Sequence, residues 1–355
     1  MGKRMDWADL CKFVGIFFMV WGHAGVSPGM DVYLHSFHMP VFFFLSGYLL
    51  SVSKHRLPEM LASRFKSLII PYFVFGGGLC LLWNLYYRTA DPSKSVPFRE
   101  VLASLFLFNA DSSPFAAVQW FLTSLFFAEL LFFVLAKLCR ENIPLVAVLV
   151  LGLSVIGFCY PLWFSNRLIL GMDTAISAAA FLGIGWLLRQ AESFLKKEVP
   201  VSLLLLSAAV LLIAGYFTAE ANGYVNMRVM LYGSYFLYYG SALLTILGLF
   251  QLCRFLEKIP GLFQTPFFRF LLYIGRNTII VLVLNQAIKT VLTLVFDLET
   301  VKAGMENGAV LWLDFGLGLA VLALSAPAVW LINKFIPFTV GRRFPEKTKK
   351  DENNS

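Results

Sequence analysis

Charge is what this chain has least of. Only 14% of its residues are Asp, Glu, Lys or Arg, against 59% hydrophobic, and the mean hydropathy is +0.74. A length of 355 residues would allow two soluble domains, but so few polar side chains could not cover them. Paired cysteines are missing too. Cys11, Cys80, Cys139, Cys159 and Cys253 stand singly, mostly inside apolar runs, which excludes a disulfide framework and a thiolate metal motif and leaves them as packing residues. No internal repeat argues for the inverted duplication of many transporters, and no aromatic-basic pattern argues for RNA binding. A cleavable leader is disfavoured: the apolar run after MGKRMDWADL lacks a small-residue cleavage site and contains Lys12 and His23, so it reads as a retained membrane helix.

What is present suits a bilayer. Thirty-six Phe and eight Trp fit lipid-facing surfaces and interfacial belts, and scanning for runs of about 20 apolar residues gives ten candidate spans. Their cores are 9–26, 38–53, 68–87, 116–138, 143–161, 174–188, 200–218, 232–252, 270–291 and 309–333. The expected fold class is an all-α polytopic transmembrane helix bundle, with the second and sixth spans short, Gly-interrupted and open to being tilted or re-entrant. Ten spans put both termini on one side, and basic residues select the cytoplasm. Lys3, Arg4, Lys54, Arg56, Arg64, Lys66, Arg254, Lys258 and the basic tail share that side, whereas the other receives only Arg88, Lys94, Arg99, Arg167, Arg228, Lys289 and Lys302. The net charge of +8 is therefore a topology signal. Residues 1–335 read as a single membrane domain and 336–355 as a polar, disordered cytoplasmic tail. Loops 88–115 and 292–308 are long enough to shape the mouth of a site.

Ionisable side chains in hydrocarbon are costly and face a bundle interior or a water-filled cavity, so their positions point to function. Lys12 and His23 lie eleven residues apart in the first span, about 16 Å along one face. Asp9, three residues before Lys12, is placed to pair with it. His35 and His38 open the second span, with Pro40 in its first turn and Ser46 and Gly47 allowing close backbone approach. Imidazole is the side chain best suited to exchange protons near neutral pH. A blander reading stands beside each: Lys12 could snorkel to the headgroups, His23 could be a helix–helix contact, and His35 could sit at headgroup level.

These segments resemble a known family. The Asp9–Lys12–His23 arrangement, FHMPVFFFLSGYL, the RFKSLIIPY segment from Arg64, WFLTSLFFAELLFF from Trp120, AAAFLGIGWLLR and YIGRNTIIVLVLNQ are together similar to the acyltransferase-3 family of ten-helix membrane acyltransferases, over residues 5 to 335. Members move an acyl group, usually acetyl from cytoplasmic acetyl-CoA, onto hydroxyls of surface polysaccharides, lipid-linked sugars or related envelope molecules. The resemblance thus implies a multi-pass protein of a bacterial-type inner (plasma) membrane, with acetyl-CoA as donor, no metal, and a carbohydrate or glycolipid acceptor.

The family's first-helix signature is a basic residue, ten residues, then His, most often with Arg. Lys12 keeps the charge but loses the planar fork. His23 matches directly and is expected to be the general base, with a transient acyl-histidine as an alternative. Arg64 and Lys66 are expected near the CoA phosphates, unless they are ordinary cytoplasmic-side charge. Arg276 is either end-of-helix charge or part of the cofactor site. Trp120 could stack on a sugar or merely anchor the interface. Many relatives have His near 285; Asn285 can hydrogen-bond there but cannot titrate. A transporter or flippase is the rival reading, since intramembrane charges also mark ion and substrate paths, and a pure scaffold gives no reason to retain Lys12 and His23.

Overall fold

The computed structural model of the chain describes residues 4–90, 97–106, 119–195 and 200–344. Lys94, Lys196 and Lys197, the end of the first outer loop and the tail residues 345–355 lie outside them. Within the described residues every regular element is a helix. The first, α1 (Asp6–Ala24), ends at Gly25, whose φ of 139° suits glycine alone. Where one second span was expected there are two ten-residue helices, α2 (Pro28–Phe37) and α3 (Pro40–Leu49). Each opens on a proline, which is tolerated where an amide proton has no helical partner.

The third span is a 32-residue helical stretch, Leu57–Arg88. In it α4 (Leu57–Arg64) and α5 (Gly77–Ala90) are joined by π-helical segments, Phe65–Ile69 and Tyr72–Gly76, on either side of Pro71. Pro71 has no amide proton to give, and the wider turns absorb the break without ending the span. After the short α6 (Phe98–Phe106) come α7 (Trp120–Leu138), α8 (Ile143–Trp163), α9 (Met172–Leu195), α10 (Val201–Asn222) and α11 (Tyr235–Glu257). The ninth span is divided at Arg276–Asn277 into α12 (Pro266–Gly275) and α13 (Thr278–Val295). A short α14 (Leu298–Ala303) precedes the last span, α15 (Asn307–Phe335).

Among the described residues, eight helices are long and apolar enough to cross a membrane. With α1 and the paired α2 and α3, the count comes close to the ten expected. The sixth span is not short: it is a 26-residue stretch, Ile169–Phe194. Its glycines are contact points rather than interruptions. A Cβ on Gly185 would overlap the Phe44 carbonyl, and one on Gly47 would overlap the Leu182 carbonyl, so α3 and α9 touch backbone to backbone. The outer faces of α8 and α10 are bare hydrocarbon, with Leu145, Val148, Leu151, Leu206, Val210, Ile213 and Phe217 exposed, as a lipid boundary requires.

Inside this ring α1 is central, packed against α11, α12, α13 and α15. Both ends of the described chain meet beside its start. Residues 336–344, expected to begin a loose tail, instead form a 3₁₀ turn (Pro337–Val340) with Pro337, Thr339 and Val340 buried. Gly341, at φ 70° and against the Lys66 backbone, then swings Arg342 back into the bundle.

Candidate active site

Two cavities open along α1, one toward each of its ends. The larger, about 800 Å³, lies at the C-terminal end and is lined by His23, His35 and His38. α1 delivers His23, the tight turn at Gly25 reverses the chain, and α2 returns His35 and Asp31 to the same space. The ring centroids of His23 and His35 are 6.5 Å apart and those of His35 and His38 are 4.8 Å apart, each pair edge to face.

Hydrogen bonds fix two of the three imidazoles. His35 Nδ1 lies 2.9 Å from the Asp31 carboxylate and 3.0 Å from the Asp31 carbonyl; His38 Nδ1 lies 2.6 Å from the Leu34 carbonyl. These oxygens only accept from a ring N–H, so both Nδ1 atoms carry a proton and both rings are fixed in orientation. Among the described residues His23 makes no ring hydrogen bond. Its backbone carbonyl accepts from Lys289 Nζ at 2.7 Å, which caps α1 with a cation where the helix dipole favours one. Trp83, Tyr87, Trp120 and Tyr224 supply aromatic walls, and Asn226, Arg228, Gln286 and Thr290 supply polar groups. Trp120, only 6% exposed, is among these walls.

The second cavity, about 270 Å³, lies toward the start of α1 and presents Lys12, Arg64, Arg276 and Arg342 against a single carboxylate, Glu129. Asp9 organises the basic side. It accepts from Arg4 at 2.7 Å, from Arg276 at 3.1 Å and from Lys12 at 3.3 Å, while Asp6 takes a second Arg276 nitrogen at 2.8 Å. Arg64 pairs with Glu129, which is buried in α7. Arg342 donates to Asn277 and Asn333, at 2.6 Å each, and to the Arg276 carbonyl at 2.9 Å. The break between α12 and α13 puts Asn277, Thr278, Ile279 and Ile280 on this cavity, so the positive end of the α13 dipole adds to the cations.

Among the described residues none lines both cavities. Met19, Met39 and Leu282 floor the histidine cavity, while Phe42, Phe121 and Ile280 roof the basic one, so a thin apolar layer separates them. Trp120 and Phe121, adjacent in sequence, face opposite sides of it.

The residues singled out from sequence are thus sorted. His23, His35, His38 and Trp120 share the first cavity; Lys12, Arg64, Arg276 and Ser46 share the second, with Asp9 holding two of its cations. Ser46 therefore faces the cations, not the histidines. Lys66 is exposed and lines neither cavity. Asn285 is buried away from both, its amide donating to the Leu282 carbonyl. Sequence reasoning missed Glu129, although it is the sole charge between Trp120 and Lys137, and missed Asp31, which stands four residues before His35. Arg342 carried no such signal, since only the Gly341 turn brings it in.

No curated protein and no solved structure matches the chain. The family model described as an acyltransferase domain, acyltransferase-3, matches residues 5–334. That span takes in α1 and the whole lining of the histidine cavity, and all of the basic cavity's lining except Val340 and Arg342; the chain belongs to the acyltransferase-3 family as a membrane acyltransferase.

Proposed function

We propose that the protein moves an acetyl group from cytoplasmic acetyl-CoA to a hydroxyl of an envelope carbohydrate, with His23 as general base. The observation that carries this reading is the end-to-end pairing of a basic cavity and a three-imidazole cavity along one helix. Phosphates of the donor suit the basic end, where Arg64, Arg276 and Arg342 present planar forks and the start of α13 presents the positive end of its dipole. Lys12 stands on α1 between that end and His23, with its ammonium bonded to Asp9 at 3.3 Å. The aromatic walls and amide groups of the histidine cavity suit sugar rings, which offer flat C–H faces and hydroxyls together.

In this reading the acyl tip of the thioester crosses the apolar layer and meets the acceptor beside His23. The imidazole takes the hydroxyl proton, the oxygen attacks the thioester carbonyl, the C–S bond breaks and the proton passes to sulfur. His23 is the imidazole free to turn toward that hydroxyl, because His35 and His38 are tied by their Nδ1 protons.

Membranes containing His23→Ala, given labelled acetyl-CoA and native envelope acceptors, should lose acyl transfer by about 10²–10⁴-fold, the usual weight of a general base. Undiminished transfer by a folded variant would end the assignment. Lys12→Arg should keep much of the activity and Lys12→Ala little; equal rates would mean that Lys12 serves only packing.

A further inference from the structure

The basic cavity is small for the donor assigned to it. At about 270 Å³ it falls below the range of roughly 300–1,000 Å³ that holds drug-sized ligands, and a nucleotide-bearing thioester is larger than most of these. Beside it lies a third cavity of about 590 Å³, open at the same end of the bundle. It lies along α12, between the 3₁₀ turn Leu262–Gln264 and the start of α1, and is lined by Phe263, Phe270, Tyr273, Arg269, Arg276 and Asp6, among others. Among the described residues only Arg276 lines both this groove and the basic cavity.

We infer that this groove holds the adenine-nucleotide end of the thioester donor, with the pyrophosphate at the junction by Arg276 and the pantetheine arm running through the basic cavity so that the acyl group reaches toward His23. The inference rests on the donor proposed above and adds a second subsite to it. Three features support it. Arg276 uses Nε on Asp9 and Nη2 on Asp6, which leaves Nη1 without a hydrogen-bond partner among the described residues, at the junction of the two spaces. Arg269 has no ion pair among the described residues, although it stands on a wall that holds another cation. Its guanidinium is therefore available to a phosphate, which planar forks bind well. Aromatic side chains are gathered on the same wall: Phe270 is 38% exposed, and Tyr273 is anchored by its hydroxyl on the Ala326 carbonyl at 3.4 Å, which leaves ring surface for a base to stack on. A simple interfacial belt would account for the rings but not for two guanidiniums converging with them.

A lipid headgroup could bring the same phosphate, so the test separates the two sources. The full-length protein in phosphatidylcholine nanodiscs is titrated calorimetrically with CoA, with adenosine 3′,5′-bisphosphate and with pantetheine. Arg269→Ala and Phe270→Ala, both surface changes, should each weaken CoA binding by about five- to a hundredfold and leave pantetheine binding unchanged, and the bisphosphate should compete with CoA. If the unaltered chain binds no CoA, the donor assignment falls and the groove assignment falls with it. If CoA binds but is indifferent to both substitutions, the groove assignment alone is overturned. It is overturned equally if phosphatidylglycerol in the discs abolishes bisphosphate binding in the unaltered chain, because the groove would then belong to lipid.

Discussion

At the scale of single residues, the buried carboxylates around the basic cavity are each committed to cations. Asp9 serves three cations and Glu129 serves one, so each carboxylate is worth more to position than to net charge. Glu129→Ala would leave Arg64 unpaired at the edge of the bundle. Because Arg64 is about a third exposed, water softens the penalty, and the loss should be about 1–3 kcal/mol, read as a lowered unfolding temperature in detergent. Arg64→Met combined with Glu129→Leu should recover stability without recovering CoA binding; recovery of both would show that the pair is purely structural. Lys12 and His23 are legible in the sequence because titratable groups stand out in an apolar run. Asp31 is not, since it lies in the polar-looking stretch between two runs, and only the short α2 reveals that it and His35 share a helical face.

At the scale of elements, the informative places are the interruptions. Hydrophobic runs locate the spans, but a scan for long apolar runs passes over the Gly275–Arg276–Asn277 interruption inside 270–291, so α12 and α13 are read from it as one span. Gly275 is the local reason for that break's position: a Cβ there would overlap the Asp9 carbonyl, so α12 can end against α1 only with glycine at the contact. The α3–α9 contact follows the same rule and makes a quantitative contrast. Gly47→Ala should destabilise the protein by about 1–3 kcal/mol or more, because two backbones must part to admit one methyl. Gly78→Ala, in α5 with nothing within 4 Å of its would-be Cβ, should instead be neutral or stabilise by up to about 1 kcal/mol. Thermal unfolding of the two variants side by side checks this; similar losses in both would mean that α3 and α9 are not held in backbone contact.

At the scale of the whole molecule, the bundle places two chemically different spaces end to end and closes the passage between them with side chains of Met, Phe, Leu and Ile. That architecture lies partly beyond the sequence, because α1, α7 and α13 each contribute residues to both spaces and their order along the chain says nothing about which share a cavity. The apolar layer also bears on the energetics of the membrane itself. On the proposed mechanism, such a layer would pass a neutral thioester and bar an ion, insulating one compartment from the other while the acyl group changes sides. If the proton taken by His23 returns to the departing sulfur, no charge moves in a turnover. If it is released on the acceptor side, one charge crosses the field each time, and a potential of about 100 mV would then shift the rate by up to roughly fiftyfold, from about 2.3 kcal/mol per charge. Proteoliposomes clamped with valinomycin and potassium gradients should show rates indifferent to voltage, marking this acyl transfer as electrically silent.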